Sequence, residues 1–182
     1  MSAALVTVTL VVCVLPAPIA AGRESNWRDV SRLPLPRHDH AMAYDSSRGV
    51  TVLFGGDAIW RNGQTWEWDG AKWMLRSKEG PAPRQNHAMA YDSVRGVTVL
   101  FGGYTESPFG ENGETWEWDG TSWTLRATSG PAIRYRHAMV YDSARGVTVL
   151  FGGRLAYPDH QDAETWEWDG VVWTLRATTG PS

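Results

Sequence analysis

One phrase of the sequence occurs three times with almost no change. HAMAYDSSRGVTVLFGG begins at His40, HAMAYDSVRGVTVLFGG at His87 and HAMVYDSARGVTVLFGG at His137. Each is followed, after a loop that differs, by QTWEWDGAKWMLR, ETWEWDGTSWTLR or ETWEWDGVVWTLR. The spacing is 47 and then 50 residues, and the difference lies in the loop. A period of this size belongs to architectures in which one supersecondary unit stacks on the next, because a single unit cannot bury its own apolar face.

Within the unit, four short strands are predicted. HAMAYD alternates, with His40, Met42 and Tyr44 on one side and Ala41 and Ala43 on the other. Asp45 to Gly49 is a turn in which the carboxylate can bind backbone amides and the glycine can take positive φ. VTVLF is a continuous β-branched and aromatic run, the pattern of a strand covered on both faces. Gly55-Gly56 ends it. TWEW and KWMLR then form a hairpin through Asp69-Gly70, and this register puts Trp66, Trp68, Trp73 and Leu75 on one face. A neighbouring unit has to cover that face.

These residues resemble the kelch repeat. The resemblance rests on Arg84 three residues before His87, the doublet Gly102-Gly103, and Trp118 and Trp123 around a turn, recurring in all three units from about Trp27 to Arg176. It implies an all-β fold: a kelch-type β-propeller of three four-stranded antiparallel blades, at residues 37–83, 84–133 and 134–182, each lining a central channel with its first strand. Complete propellers have about 4–8 blades, so three make a partial, open arc. The family serves as protein-binding modules, carbohydrate-related enzymes and structural parts, so the resemblance does not choose an activity. Copper chemistry of the galactose-oxidase kind needs a cysteine-modified tyrosine, and the single cysteine, Cys13, lies in the apolar leader. NGQTW and NGETW resemble the sialidase aspartate box, yet Arg61 and Glu111 stand where its aspartate belongs. No nucleophile elbow, phosphate loop or HExxH motif is present. The expectation is a non-enzyme without cofactor or metal; the alternative is part of a carbohydrate-active propeller enzyme whose catalytic loops lie elsewhere.

Residues repeated in every unit serve the unit. That assigns His40, His87 and His137 to structure rather than to a zinc site, whose ligands would cluster. It assigns Arg37, Arg84 and Arg134, the turn pairs Asp45–Arg48, Asp92–Arg95 and Asp142–Arg145, and Glu67, Glu117 and Glu167 to ion pairs within or between blades. Nine of the eleven tryptophans fall in the repeats. Their fixed register assigns them to blade-to-blade packing rather than to stacking on sugars.

Function is expected where the repeat fails. The aromatics outside the register are Trp60, Tyr104, Phe109, Tyr135 and Tyr157. They lie in the loop between second and third strands or just before a first strand, and in an up-and-down blade both connections emerge at one end. With His38, Arg136 and His160 they make a candidate binding rim, since variable loops on a rigid frame carry ligand contacts. Asp159, His160, Asp162 and Glu164 form an acidic cluster without the spacing of a cation loop, and read as solvated.

The ends and the charge complete the expectation. Ala3 to Leu15 is apolar and leads to Ala20-Ala21-Gly22, so residues 1–21 read as a secretory leader, though no Lys or Arg precedes it. The run is too short and proline-broken to span a membrane. Residues 22–36 hold NWRDV, which matches a fourth strand without its blade, followed by a linker. A net charge of -3 and the absence of a basic run argue against nucleic acid. The chain is thus expected to be a secreted, periplasmic or cell-surface interaction module for a protein or glycan ligand, a fragment of a longer propeller or a protomer that self-associates through its end blades.

Overall fold

A computed structural model describes residues 33–57, 62–105, 110–155 and 160–180. The leader 1–21 and the NWRDV strand lie outside them. Among the described residues every regular element is a strand. Blade 1 holds β1 (Ala41–Asp45), β2 (Val50–Phe54), β3 (Thr65–Trp68) and β4 (Trp73–Ser77). Blade 2 opens with a short β5 (Arg84–Gln85), then β6 (Ala88–Asp92) and β7 (Val97–Phe101); its loop carries β8 (Tyr104–Thr105) and β9 (Gly110–Glu111), and β10 (Thr115–Trp118) and β11 (Trp123–Ala127) complete it. Blade 3 repeats the plan as β12 (Arg134–Tyr135), β13 (Ala138–Asp142), β14 (Val147–Phe151), β15 (Arg154–Leu155), β16 (His160–Gln161), β17 (Thr165–Trp168) and β18 (Trp173–Ala177).

Three antiparallel four-stranded sheets result, ordered β1-β2-β3-β4, β6-β7-β10-β11 and β13-β14-β17-β18. The innermost strands adjoin, β6 lying between β1 and β13. The sheets do not close into a full propeller.

The turns form as their residues dictate. Asp45 Oδ1 accepts the backbone amides of Ser47 and Arg48, each at 3.1 Å, and Gly49 sits at φ 68°. Asp69 binds the amides of Ala71 and Lys72 at 2.9 Å, so the second hairpin turns over the four residues 69–72 rather than through a two-residue loop. Its register pairs Trp68 with Trp73 and Trp66 with Leu75, as the alternation requires.

Each sheet therefore has two unlike faces. The leading face carries Met89, Tyr91, Leu100, Trp116, Trp118 and Trp123 in blade 2, and packs on Ala41, Ala43, Val52 and Phe54 of blade 1. The trailing face of blade 2, with Val97, Val99 and Phe101, receives Met139, Leu150, Trp166, Trp168 and Trp173 of blade 3. Every residue of β6 is buried, whereas β1 exposes Met42 and Tyr44 and β13 exposes Val140. One reading of the sequence needs adjusting at the outer edge: Leu75, Leu125 and Leu175 stay 37–43% exposed. In blades 2 and 3 the neighbouring sheet covers the inner three strands and the tryptophans but not the outermost leucine.

Polar pairs lock each junction. Glu67 is fully buried in β3; its carboxylate accepts Arg48 Nη1 and Arg76 Nε of its own blade, both at 2.7 Å, and Trp118 Nε1 of the next at 3.2 Å. Glu117 takes Arg95 Nη1 and, from blade 3, Trp168 Nε1 at 3.0 Å. Thr65 Oγ1 accepts Trp123 Nε1 at 2.7 Å and Thr115 Oγ1 accepts Trp173 Nε1 at 2.8 Å. The Arg48 guanidinium covers Gly120, where any Cβ would come within 2.7 Å of it.

This packing makes Trp118, 1% exposed, the anchor of the first junction. Trp118→Ala is expected to destabilise the fold by about 3–5 kcal/mol in urea titration. Leu125→Ala, at the half-open outer strand, should cost well under half of that. Equal costs would show that the junction does not hold the tryptophan as described.

Candidate functional site at the loop end of the blades

The described parts of the loops between second and third strands are paired. Each folds against the segment before its first strand. In blade 2, β5-β8-β9 form a small sheet with Gln85 opposite Tyr104; in blade 3, β12-β15-β16 do the same with Tyr135 opposite Arg154 and Leu155 opposite His160. Among the described residues blade 1 has one bridge at this place, His38 to Asp57.

A buried arginine fixes each small sheet to its blade. Arg84 is fully buried; it donates Nη1 to Gly102 O at 3.0 Å, Nε to Ala82 O at 3.1 Å and Nη2 to Glu114 Oε2 at 2.8 Å. Arg134 repeats this with Gly152, Ala132 and Glu164. The guanidinium and the Trp116 indole beside it hold the Glu114 carboxyl below its usual range, against the upward pull of burial. In blade 1 the carboxylate is replaced by Gln64, and Arg37 keeps only the carbonyls of Gly55 and Leu35, leaving its buried Nη2 without a partner. Burial lowers the Arg37 pKa accordingly.

The repeated histidines begin the first strands. His87 stands edge-on to Phe54 of blade 1, with centroids 5.6 Å apart, and His137 to Phe101 of blade 2 at 5.5 Å. They fill the space beside Gly55 and Gly102, where an added Cβ would meet the imidazole at 2.8 and 2.9 Å. They are inter-blade packing groups.

Just before each histidine the backbone is left-handed: Asp39, Asn86 and Arg136 have φ of 55–57°. This conformation costs most for arginine. It aims the chain so that Asn86 N donates to Asp39 O and Arg136 N to Asn86 O, both at 2.8 Å, a main-chain ladder running from blade to blade. The side chains at these three positions all differ.

The structure brings several of the sequence candidates together. Tyr104 and Tyr135 meet edge-on across the blade 2–blade 3 boundary, centroids 6.4 Å apart. The Arg136 guanidinium lies 5.9 Å over the Tyr135 ring and its Nε reaches Asn86 Oδ1 at 3.4 Å. His160 is exposed in the same small sheet as Tyr135. His38 sits two blades away, its Nδ1 at 2.9 Å from Asp39 Oδ2. Trp60, Phe109 and Tyr157 lie outside the described residues, as does Asp159. Asp162 and Glu164 face Arg134, each with a carboxylate oxygen at 2.7 Å, so these two acids neutralise a buried cation. Among the described residues no group of three His, Cys, Asp or Glu could hold a metal ion.

Reading for aromatics missed the polar members of the rim: Asn86, and the cross-strand residues Asp57 and Arg154. A signal existed. Asp57, Tyr104 and Arg154 each follow a glycine doublet, and Asp39, Asn86 and Arg136 each precede a repeated histidine, so unlike residues occupy like places. No family model matches this chain, and no curated protein matches it.

The histidines give the fold a pH dependence. Burial, reinforced by Arg84 and Arg134, pushes the pKa of His87 and of His137 down to about 3. Both rings are neutral in the fold, while unfolded histidine takes a proton near pH 6.5. The unfolded chain thus binds more protons between these values, and stability falls as pH drops below about 6.5. The loss is on the order of 1 kcal/mol per histidine for each pH unit, before the carboxylates begin to titrate. Urea midpoints between pH 7.5 and 5 should fall, and more gently in His87→Gln. An unchanged slope in that variant would contradict the assignment.

Proposed function

We propose that this chain is a kelch-type propeller module, secreted or held at the cell surface, that binds an acidic ligand on its loop rim. The observation that carries the reading is the difference between blades at one structural position. The frames are nearly identical, yet the cross-strand pair is His38–Asp57 in blade 1, Gln85–Tyr104 in blade 2 and Tyr135–Arg154 in blade 3. A scaffold role would be met by the same pair three times. Chemically distinct side chains on one rigid frame suit recognition.

The blade 2–blade 3 side of the rim supports the ligand class. Tyr104 and Tyr135 give a two-ring surface, and Arg136 brings positive charge to it. Aromatic rings with arginine are the composition of binding hot spots, and arginine pairs with carboxylates through a planar fork. The carboxylate could be carried by a glycan or by a peptide, and the experiment separates the two.

Arrays of uronic- and sialic-acid glycans and of Asp/Glu-rich peptides, with neutral counterparts, are the probes. Binding to one acidic set is expected, weakened about tenfold or more by Tyr135→Ala or Arg136→Ala with the melting temperature unchanged. Binding that survives both changes, or that is lost on altering the opposite turn at Asp69–Lys72, would overturn the reading.

A further inference from the structure

The two ends of the arc carry the two halves of one junction. At both internal junctions a trailing-face glutamate and threonine accept the indole N–H groups of the following blade, at 2.7–3.2 Å. Blade 3 presents the same acceptors, Glu167 and Thr165, and among the described residues no indole reaches them. Glu167 binds only the arginines of its own blade, Arg145 and Arg176. Blade 1 presents the matching donors, Trp68 and Trp73, tilted against each other at 5.6 Å between ring centroids as Trp118 and Trp123 are, with no acceptor among the described residues.

The shape agrees with the chemistry. Gly55 and Gly102 are closed over by the carbonyl of Arg84 or Arg134 and a histidine ring of the next blade, whereas Gly152 has only Asp162 O nearby. Beside it opens a recess of ≈ 370 Å³ that reaches Phe151 and Ala138. Phe151 is 39% exposed, while Phe54 and Phe101, which meet a histidine and a tryptophan, are fully buried. Arg145 is 54% exposed at the side chain, against 32% and 27% for Arg48 and Arg95, whose guanidinium groups are covered by Gly120 and Gly170. On the leading side of blade 1, Tyr44 is 59% and Met42 45% exposed, while Leu53 and Trp66 are buried already. The surface on offer is thus the inner strand and the turn-side tryptophans.

We infer that a second copy of this chain docks head to tail, the leading face of its blade 1 on the trailing face of blade 3. The contact repeats one the chain makes twice within itself: Trp68 Nε1 to Glu167, Trp73 Nε1 to Thr165, His40 beside Phe151 and Gly70 over Arg145. A head-to-tail contact closes into a ring or grows into a fibre. Two copies of these three blades make six, within the about 4–8 of complete propellers, so two such junctions can close a ring.

Light scattering on the full chain tests this with two variants at exposed positions, which leave the fold of one chain intact. The wild type is expected at twice the 20.2 kDa of one chain. Tyr44→Arg spoils the leading face and Val140→Arg the trailing face; each alone should weaken self-association about tenfold or more. Mixed, they should form a heterodimer, because one copy keeps a sound trailing face and the other a sound leading face. A wild type that stays monomeric at high micromolar concentration, or that grows into longer polymers, overturns the inference. So does a dimer indifferent to both variants, or a mixture that fails to pair.

Discussion

The arc depends on a carboxylate buried between blades. Glu67 and Glu117 sit in the third strand, where a charge without partners would cost several kcal/mol. Each is satisfied by the turn arginine and, from its own blade, an outer-strand arginine, Arg76 or Arg126. The remaining partner is the indole of the next blade. A blade alone therefore leaves its glutamate incompletely bonded and its turn-side indole N–H groups without their acceptors. Stacking corrects both faults at once, and it fixes the angle between sheets because the indole N–H must meet one oxygen. Apolar burial supplies most of the stability; the glutamate supplies the alignment.

The rim follows from that alignment. With sheets held in fixed relation, the segments before the first strands come close enough for the ladder through Asp39, Asn86 and Arg136. The buried arginines Arg84 and Arg134 tie the variable loops to the same frame. Loop side chains can then differ from blade to blade without disturbing the junctions. Tyr104 meets Tyr135 only because their blades are locked, although neither takes part in the lock.

Much of this was legible in the sequence, and what was not has a physical reason. Period-two alternation in HAMAYD and TWEW sorts side chains to faces, so the tryptophan face and the structural role of the histidines could be read. Alternation does not say which neighbour a face meets, so the direction of stacking and the Trp118–Glu67 bond, 51 residues apart, were out of reach. Strands such as β8 and β12 have two residues, too few to show any period. The left-handed turn at Arg136 breaks the preference of its own side chain, because the inter-blade ladder outweighs it. Leu125, the counterpart of Leu75, looked like core by alternation and is 43% exposed, because the adjacent blade does not reach the outer edge.

The glutamate–indole junction can be observed directly. In a 15N-labelled sample, the Trp118 and Trp168 indole N–H groups should exchange slowly with solvent, since both rings are 1% exposed and hydrogen-bonded. Glu67→Gln should move the Trp118 indole resonance and leave Trp168 in place, and Glu117→Gln should move Trp168 and leave Trp118 in place. Shifts confined to the tryptophans of the mutated blade itself would contradict a fold organised by bonds from each glutamate to the blade that follows.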